Sequence, residues 1–468
     1  MKKYVLLLIT IVLCLTVAAC GSEEESAVNR EQEQVQGQGP GQEVAQKQPE
    51  NEQDSKQQLI DEAVNAPAEI TIAYPFASEE LYEGRFGEQI KQKFPHYTIH
   101  FLETSTNADN QLADILATRP VIDIIFNSYG SIYDNLFNLG LNADMSDLIT
   151  KYQYDLQQFQ PSLLDLINEM GGGEIFGLPW LTGGFVFLYN KDIFDQFGVD
   201  YPSDGMTWDE VHELARTMTR TADGVNYYGL TMQHEHLVGR NQLGAHFFDP
   251  ETNEAAMTSD LFRKVVQNLA RFYDIPGNEL HPSITANNLF QVEQVAAMFI
   301  GTDGHIQITA KALTNWDIAE FPVFSDMPGV GFAPFPEFVN MTSLSGNRDA
   351  AFQVLTYIVS EEQQQWRASN LGFVPTLKDT DKIMENYGTT IPGLEDKNLK
   401  AIIPKQYANL QATPFYSIGL SEMGQLFREY VGGKDLNTAL REASERANQK
   451  GVQRVLCKPA LARHTPAS

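Results

Sequence analysis

The first third of the chain has three short stretches with the character of β-strands, and the first of them alternates hydrophobic and polar residues. Residues 69–74, 97–102 and 121–126 each predict a strand. Helical patterns that end near Lys93 and at residues 111–118 separate these strands. Strands that alternate with helices predict an α/β fold in which a mostly parallel sheet is flanked by helices.

Ligands of such sheets bind beyond the carboxyl ends of the strands. This rule selects five candidate ligand-binding residues in the first part of the chain. Phe76 and Ser78 follow the first strand, and Asn127, Ser128 and Tyr129 follow the third. Aromatic rings together with polar side chains suit a pyranose, which has an apolar face and hydroxyl-rich edges.

A glycine-flanked stretch predicts that the chain passes from one compact unit to another. Residues 171–194 read GGGEIFGLPWLTGGFVFLYNKDIF, with Gly183 and Gly184 directly before a buried strand. Glycine adopts backbone dihedral angles that other residues cannot, so the chain can bend at this point. An ordinary loop-to-strand junction would look the same locally. Folded-type sequence on both sides favours the crossing.

The second half of the chain repeats the alternation of strands and helices. Thr207 and Glu210 predict a capping box at the start of a helix, and residues 435–450 predict a last amphipathic helix. Predicted strands at residues 227–232 and 296–300 each end in a polar loop. These loops supply four further candidates for ligand binding, namely His234, Thr302, Asp303 and His305.

The N-terminus has the pattern of a lipoprotein signal peptide. Lys2 and Lys3 precede an apolar run that is too short to span a membrane. The run ends in VAAC, which resembles a bacterial lipobox, and this resemblance implies lipidation of Cys20. A diacylglyceryl cysteine carries the two acyl chains that stable anchoring requires. An ordinary cleaved signal peptide with an accidental cysteine is the alternative.

Both termini of the predicted globular body are expected to be disordered. Residues 21–66 are rich in Gln, Glu, Gly and Ser and predict a tether. Residues 451–468 contain basic residues but no acid, and they predict a disordered tail. The cysteines of the chain are Cys14, Cys20 and Cys457, so the globular body can contain no disulfide or thiolate metal cluster.

Composition narrows the range of partners. The 468 residues suffice for two hydrophobic cores, and the formal net charge is −28. Removal of a signal peptide with its two lysines makes that charge −30. An acidic surface of this kind disfavours nucleic acid and anionic lipid headgroups as partners. It fits a secreted protein that binds neutral or cationic molecules.

The order of these motifs resembles that of extracellular solute-binding proteins of family 1. These are the substrate receptors of bacterial ABC importers, and the maltose-binding proteins are their best-known branch. The resemblance covers residues 68–450. It is carried by TIAYPF, VIDIIFNSYG, GLPWLTGGFVFLYNKDIF, PSDGMTWDEV, AAMFIGTDGHI and SGNRDAAFQVLTYIVSEEQQQW. It implies a type II periplasmic-binding-protein fold, in which two α/β lobes joined by a hinge close over a solute and dock on a permease.

The resemblance also implies where the lobes lie in the chain. The first lobe would comprise residues 67–180 and 323–377, and the second residues 181–322 and 378–450. The lobes would rotate about strands near Gly183 and Pro322. We expect a monomer without a cofactor, anchored by its lipid to the outer face of the cell membrane.

A sugar or oligosaccharide is the solute class that the resemblance favours. Trp180, beside the crossing, is the expected stacking platform, although it could instead pack in the core. Sugar-binding members commonly have a tryptophan after the Ala-Ala-Met strand, whereas this chain has residues 301–305, GTDGH, at that place. A non-sugar solute, such as a metal chelate, a peptide or a polyamine-like molecule, is therefore the alternative.

No catalytic or metal site is predicted. One group of residues in the second lobe could bind zinc, namely His234, Glu235, His236, His246 and His305, but solvated loop histidines explain the same pattern. The chain contains no H-E-x-x-H, G-x-S-x-G or P-loop motif. A secreted acidic glycosidase would need only two carboxylates, and it remains the weaker enzymatic alternative.

Overall fold

The computed structural model describes residues 52–75, 77–103, 112, 116, 121–410 and 412–456. Among these residues the strands form two five-stranded sheets. The strands are β1 (Ala68–Ala73), β2 (Tyr97–Leu102), β3 (Ile124–Ser128), β4 (Gly177–Gly183), β5 (Phe185–Asn190), β6 (Arg220–Ala222), β7 (Val225–Met232), β8 (Ala296–Thr302), β9 (Trp316–Ala319) and β10 (Phe335–Met341).

Sixteen α-helices connect and cover the strands in the described part of the chain. They are α1 (Glu52–Asn65), α2 (Glu79–Tyr82), α3 (Glu88–Lys93), α4 (Ser146–Lys151), α5 (Pro161–Gly171), α6 (Lys191–Phe197), α7 (Trp208–Met218), α8 (His234–Gly239), α9 (Asp260–Ala270), α10 (Ala286–Gln291), α11 (His305–Ala312), α12 (Arg348–Ile358), α13 (Glu361–Leu371), α14 (Thr380–Met384), α15 (Tyr416–Val431) and α16 (Leu436–Leu456).

The first sheet has the strand order β2-β1-β3-β10-β4. β1 pairs in parallel with both β2 and β3. β10 lies antiparallel between β3 and β4, so four of the five strands run in one direction. β10 comes from a part of the chain more than 150 residues after β4 begins, and only this return strand joins β3 to β4.

The second sheet has the order β6-β7-β8-β5-β9. Only β7 and β8 pair in parallel, because β5 is antiparallel to both β8 and β9, and β6 is antiparallel to β7. The predicted α/β fold with two helix-flanked sheets is confirmed. The second sheet contains more antiparallel pairs than expected. One reason is that β5 enters it directly from the crossing and is antiparallel to both of its neighbours.

The chain leaves the first sheet at the end of β4 and enters the second at the start of β5. Gly184 is the single residue between these strands. Neither Gly183 nor Gly184 has a positive φ angle. The crossing therefore does not need a backbone conformation that only glycine adopts. A Cβ atom on Gly184 would lie 2.9 Å from the Phe332 ring. Glycine is needed at position 184 because the Phe332 ring lies so close to the backbone.

Several predicted local features are present. Thr207 caps α7 by accepting the Glu210 amide, and the Glu210 carboxylate accepts the Thr207 amide at 2.7 Å.

The predicted helix at residues 111–118 falls almost entirely outside the described residues. No helix in the described part of the chain is long and apolar enough to cross a membrane.

The expectation of disorder is wrong for part of each terminal segment. Residues 52–65 form α1, whose side chains Leu59, Ile60, Ala63 and Val64 pack against the first core. The Tyr97 hydroxyl also donates to the Ala63 carbonyl at 2.8 Å. At the other end, α16 continues past Gly451 to Leu456. Apolar residues that are sparse in sequence thus form a partly buried stripe once the helix packs on the core.

We predict that Gly184→Ala destabilises the protein. The new methyl group would meet the Phe332 ring within contact distance, and overpacking of this kind costs about 1–3 kcal/mol. Gly346→Ala is the matched control, because Gly346 has no positive φ and no heavy atom lies within 4 Å of the place its new methyl group would take. Denaturant unfolding of both variants measures the difference. Equal stability of the two variants would contradict the packing role of Gly184.

Candidate functional site

Asp303 ties the loop after β8 to the crossing between the sheets. Its carboxylate accepts the Gly184 amide at 3.1 Å and the Gly304 amide at 3.0 Å. In return, the Asp303 amide donates to the Gly184 carbonyl at 3.1 Å. This reciprocal pair of bonds holds the acid at the end of β8, where a parallel strand presents its ligand-binding edge.

A second carboxylate reaches the same region from the first sheet. Glu337 on β10 pairs with Leu181, which lies three residues, or about 10 Å of extended chain, before Gly184. Phe335 and Glu337 are two residues apart and therefore point to the same face of the sheet. The Phe335 ring lies against the Arg240 guanidinium at 4.9 Å, so this face is turned towards the second sheet.

Each carboxylate has an arginine nearby. Arg240, at the end of α8, is almost fully buried and lies over the Phe185 ring at 3.9 Å. Its positive charge acts to lower the pKa of Asp303. The positive charge of Arg85 acts to lower the pKa of Glu337, and the Arg85 side chain donates to the Tyr74 hydroxyl at 2.7 Å. Arg85 lies in a π-helical segment, Glu83–Gly87, and such segments occur frequently at functional sites. We call Tyr74, Arg85, Arg240, Asp303 and Glu337 the crossing cleft.

The surroundings of the crossing cleft favour the neutral form of both acids. Burial raises the pKa of Asp303 to about 6, although Arg240 and the amides of Gly184 and Gly304 act to lower it. Burial also raises the pKa of Glu337 to about 7, with a further increase from the charge of Asp303 and an opposing effect of Arg85. The two acids therefore repel each other across the junction of the sheets.

Three buried polar atoms in residues of β3, of β4 and at the end of α8 have no hydrogen-bond partner among the described residues. They are Asn127 Oδ1, Thr182 Oγ1 and Arg240 Nε. Buried polar groups are normally paired, so unpaired ones require an explanation such as a bound ligand or water. Both Asp303 and Glu337 also keep part of their surface accessible. The arrangement can offer acceptors and donors to a polar molecule held between the sheets.

Trp180 has the surroundings of a core residue. It is 1% exposed, and its ring contacts those of Phe86 at 4.9 Å and Phe373 at 5.7 Å. The Arg367 guanidinium lies 5.7 Å from the ring centroid. With these neighbours around it, the ring has no open face in this structure. Trp180 thus lies where a tryptophan of the hydrophobic core would lie, and its role as a stacking platform stays a prediction.

The candidates after β3 lie near the crossing but are largely engaged within the protein. The Asn127 side-chain amide donates to the side-chain oxygen of Asn340 at 3.0 Å, and the Ser128 and Ser131 hydroxyls are 3.1 Å apart. Tyr129 is buried, with its ring 5.0 Å from that of Tyr416. Asn127 keeps one unpaired oxygen, but it lies opposite Phe338 on β10 and therefore points to the other face of the sheet from Glu337.

Of the two candidates after β1, Ser78 lies in the described part of the chain, and it is not part of the crossing cleft. Ser78 is exposed and caps α2 by accepting the Leu81 amide at 3.2 Å. Phe76 lies outside the described residues. Tyr74, which the same strand-end rule could have selected, is the residue after β1 that joins Arg85 in the cleft.

The candidates of the second sheet divide into two groups. Thr302 precedes Asp303, and its amide donates to Gln233 at 2.9 Å. His305 is buried, with its two ring nitrogens near the side chains of Gln233 and Gln291. Both of these residues are thus held by neighbouring amide groups.

His234 lies in the core of the second sheet. It bonds the Tyr273 hydroxyl at 2.9 Å and packs on Phe427. Little of the ring is exposed in this position, and the role of His234 as a ligand contact stays a prediction. Among the described residues, no group of three His, Cys, Asp or Glu side chains could hold a metal ion.

Sequence reasoning missed Arg85, Arg240 and Glu337. One signal for Glu337 was available, since it is the only charged residue in the otherwise apolar strand FPEFVNM. A charge in a buried strand requires a partner or a function. Arg85 and Arg240 carried no comparable signal, because both lie at helix positions where an exposed arginine is ordinary.

The profile of the family described as bacterial extracellular solute-binding protein matches residues 77–365, which is more than half of the chain. The chain belongs to this family. It is thus a solute-binding protein of the ABC-transporter type, and the family is extracellular. A binding protein of Brucella abortus (strain 2308) is 23% identical to it over 405 residues, which cover 78% of this chain and 89% of the relative.

Solved structures of solute-binding proteins share the fold. An ABC substrate-binding protein from Listeria monocytogenes in complex with cycloalternan has a TM-score of 0.67 at 17% identity, covering 82% of this chain and 99% of that one. The sugar-binding protein MalE of Xanthomonas citri has a TM-score of 0.66 at 15% identity, covering 83% and 98%. A sugar transporter from Rhizobium etli, in an open conformation, has a TM-score of 0.64 at 19% identity, covering 81% and 99%.

We predict that the acids of the cleft make the empty solute-binding protein less stable at high pH. A carboxyl group whose pKa is raised by folding binds its proton more tightly in the folded state. Its contribution to stability therefore falls as pH rises from about 4.5 through about 7 for Glu337. Glu337→Gln removes this loss, and it should raise the free energy of unfolding at pH 8 by at least about 1 kcal/mol.

The comparison uses calorimetric melting of both proteins from pH 5 to pH 8. The gain from Glu337→Gln should be smallest at pH 5 and should increase towards pH 8. Glu174→Gln, at an exposed carboxylate, is the control and should show no such trend. A pH-independent difference between the Glu337 variant and the unchanged protein would contradict the burial of this acid.

Proposed function

We propose that this protein captures a sugar or oligosaccharide in the crossing cleft and delivers it to the permease subunits of an ABC importer. The observation that carries the proposal is the meeting of Asp303 and Glu337, one from each sheet, at the point where the chain passes between the sheets. A solute bound there would contact both sheets at once. Its binding free energy would therefore favour the arrangement in which the two lobes are closed over the solute.

The charge balance of the cleft supports a neutral polyhydroxylated solute. Asp303 and Glu337 stand beside Arg240 and Arg85, so the formal charges of the four groups cancel. A polyamine would need unpaired acids, and an anion would need unpaired arginines. A sugar hydroxyl both donates and accepts, and it can satisfy carboxylates and guanidinium groups together.

Two further observations support the saccharide class. Arg240 Nε is buried without a described partner, and a hydroxyl group of a solute would accept its hydrogen bond. The solved relatives also include proteins in complex with cycloalternan, with maltose and with α-D-tagatose. A metal chelate, a peptide or a polyamine-like solute has no comparable support in the cleft.

The proposal includes anchoring of a monomer at the outer face of the cell membrane. Cys20 in the VAAC sequence would carry the lipid, and residues 21–51 would separate the anchor from α1. The family is extracellular, which agrees with this location. Hydrolysis of the solute is not part of the proposal, because a receptor must release its solute intact.

A thermal-shift screen tests the proposed solute class. The panel contains maltose, maltotetraose, cellobiose, mannitol and cycloalternan, with spermidine, a tripeptide and zinc citrate as members of other classes. A solute present at about 100 times its dissociation constant adds about 2.7 kcal/mol of stability. We expect a saccharide or polyol to raise the melting temperature and the other compounds to leave it unchanged.

Calorimetric titration of the best saccharide then tests the site. Asp303→Asn keeps the shape of the side chain but removes its charge, and it should weaken binding by about tenfold. Asp326→Asn, at an exposed acid paired with Lys264, is the control and should bind like the unchanged protein. A response to spermidine or the tripeptide alone would refute the saccharide class. Shortened saccharides in the mixture after incubation would instead indicate a glycosidase.

A further inference from the structure

A second concave feature lies in the part of the chain that forms the second sheet. It is a groove of about 750 Å³ between residues 280–287 and α15, with the carboxyl end of β7 as its floor. Its volume is within the range of sites that hold small organic ligands, about 300–1,000 Å³. We call it the β7 groove.

The β7 groove adjoins the crossing cleft. Gln233, which forms part of its floor, accepts the Thr302 amide at 2.9 Å, and Thr302 directly precedes Asp303. Met232 and Ile300 are paired neighbours on β7 and β8, so the groove and the cleft lie beyond the carboxyl ends of adjacent parallel strands. Along the other wall, the Ser417 hydroxyl lies 3.4 Å from the Asp134 carboxylate, which follows β3. The α15 wall of the groove therefore contacts the segment that follows β3 in the first sheet.

The charged groups of the β7 groove are balanced. Glu235 and Arg428 both approach Gly424, each with an atom 3.4 Å from where a Cβ would stand. Arg428 is exposed and has no hydrogen bond or ion pair with another described residue at contact distance. Its guanidinium donors are therefore available to a ligand. A groove with one acid and one base favours neither a polyanion nor a polycation.

Hydroxyl and apolar groups alternate along the walls. The Thr285 hydroxyl makes no capping bond to α10, although Thr285 precedes that helix. Ser421 is exposed on α15, and Leu420 and Ile284 supply apolar surface between these polar groups. Apolar patches interrupted by hydroxyl and amide groups suit the faces and edges of sugar rings.

Two of the three histidines that line the groove are committed to other bonds. His281 Nδ1 accepts the amides of Ser283 and Ile284 at 3.1 and 2.8 Å. His234 Nδ1 bonds the Tyr273 hydroxyl. No group of three His, Cys, Asp or Glu side chains among the described residues could hold a metal ion, so the groove has no candidate metal site in this part of the chain.

We infer that the solute is an oligosaccharide whose chain continues from the crossing cleft into the β7 groove. This inference rests on the proposed function and adds to it a second binding region. The ring held by Asp303 would be followed by rings that pass Gln233 and reach Arg428 and Thr285. A monosaccharide would fill only the cleft, so affinity should increase with the length of the saccharide.

Titration of two homologous series tests this inference. The probes are maltose, maltotriose and maltotetraose, and cellobiose, cellotriose and cellotetraose. In one of these series, the tetrasaccharide should bind at least about tenfold more tightly than the disaccharide. Ser421→Trp fills the groove with a large ring, and it should abolish this gain while leaving the affinity for the disaccharide unchanged. Gln425→Trp, on the exposed side of the same helix, is the matched control and should retain the gain.

The outcomes separate the groove from the cleft. If a disaccharide binds but longer members bind no better, the groove inference is overturned and the proposed function stands. The same holds if Ser421→Trp and Gln425→Trp bind the tetrasaccharide equally well. If no member of either series binds at millimolar concentration, the groove inference fails, and the proposed function then depends on the other saccharides and polyols of the screen.

Discussion

The reciprocal hydrogen bonds between Asp303 and Gly184 are the interaction on which the site depends. They join the end of β8 to the single residue that separates the two sheets. Because Gly184 has no side chain, Phe332 can lie directly against it, and the Asp303 carboxylate can reach its amide. The return strand β10 then brings Glu337 to the same junction. Two acids from two sheets thus meet where relative movement of the sheets would separate them.

This meeting of acids has an energetic consequence. Burial disfavours the charged form of both Asp303 and Glu337, and each raises the cost of ionising the other. Hydrogen-bond donors from a solute would stabilise both carboxylates in the closed arrangement. Without a solute, the same groups would be better hydrated if the sheets moved apart. The cleft therefore couples closure to the presence of a donor-bearing solute, which is the behaviour a transport receptor requires.

Local sequence patterns predicted the fold better than the site. Strand alternation, the Thr207 capping box and the crossing at Gly184 are each encoded within a few neighbouring residues. The cleft is assembled from separate parts of the chain, namely Tyr74 with Arg85, Arg240, and Asp303 with Glu337, so no local pattern reports it. The strand-end rule selected Asp303, which lies in the cleft, but after β1 it selected Ser78, which is exposed, and not Tyr74, which contacts Arg85. Trp180 shows the same limit, because an isolated tryptophan beside a crossing suits a platform and a core equally well.

The most direct test of this account is the crystal structure of the protein with the saccharide that gives the largest thermal shift. We expect the saccharide to lie between the sheets, with oxygen atoms within hydrogen-bond distance of both Asp303 and Glu337. A saccharide bound elsewhere, or one that contacts residues of only one sheet, would contradict the central claim that the solute joins the two sheets at their crossing.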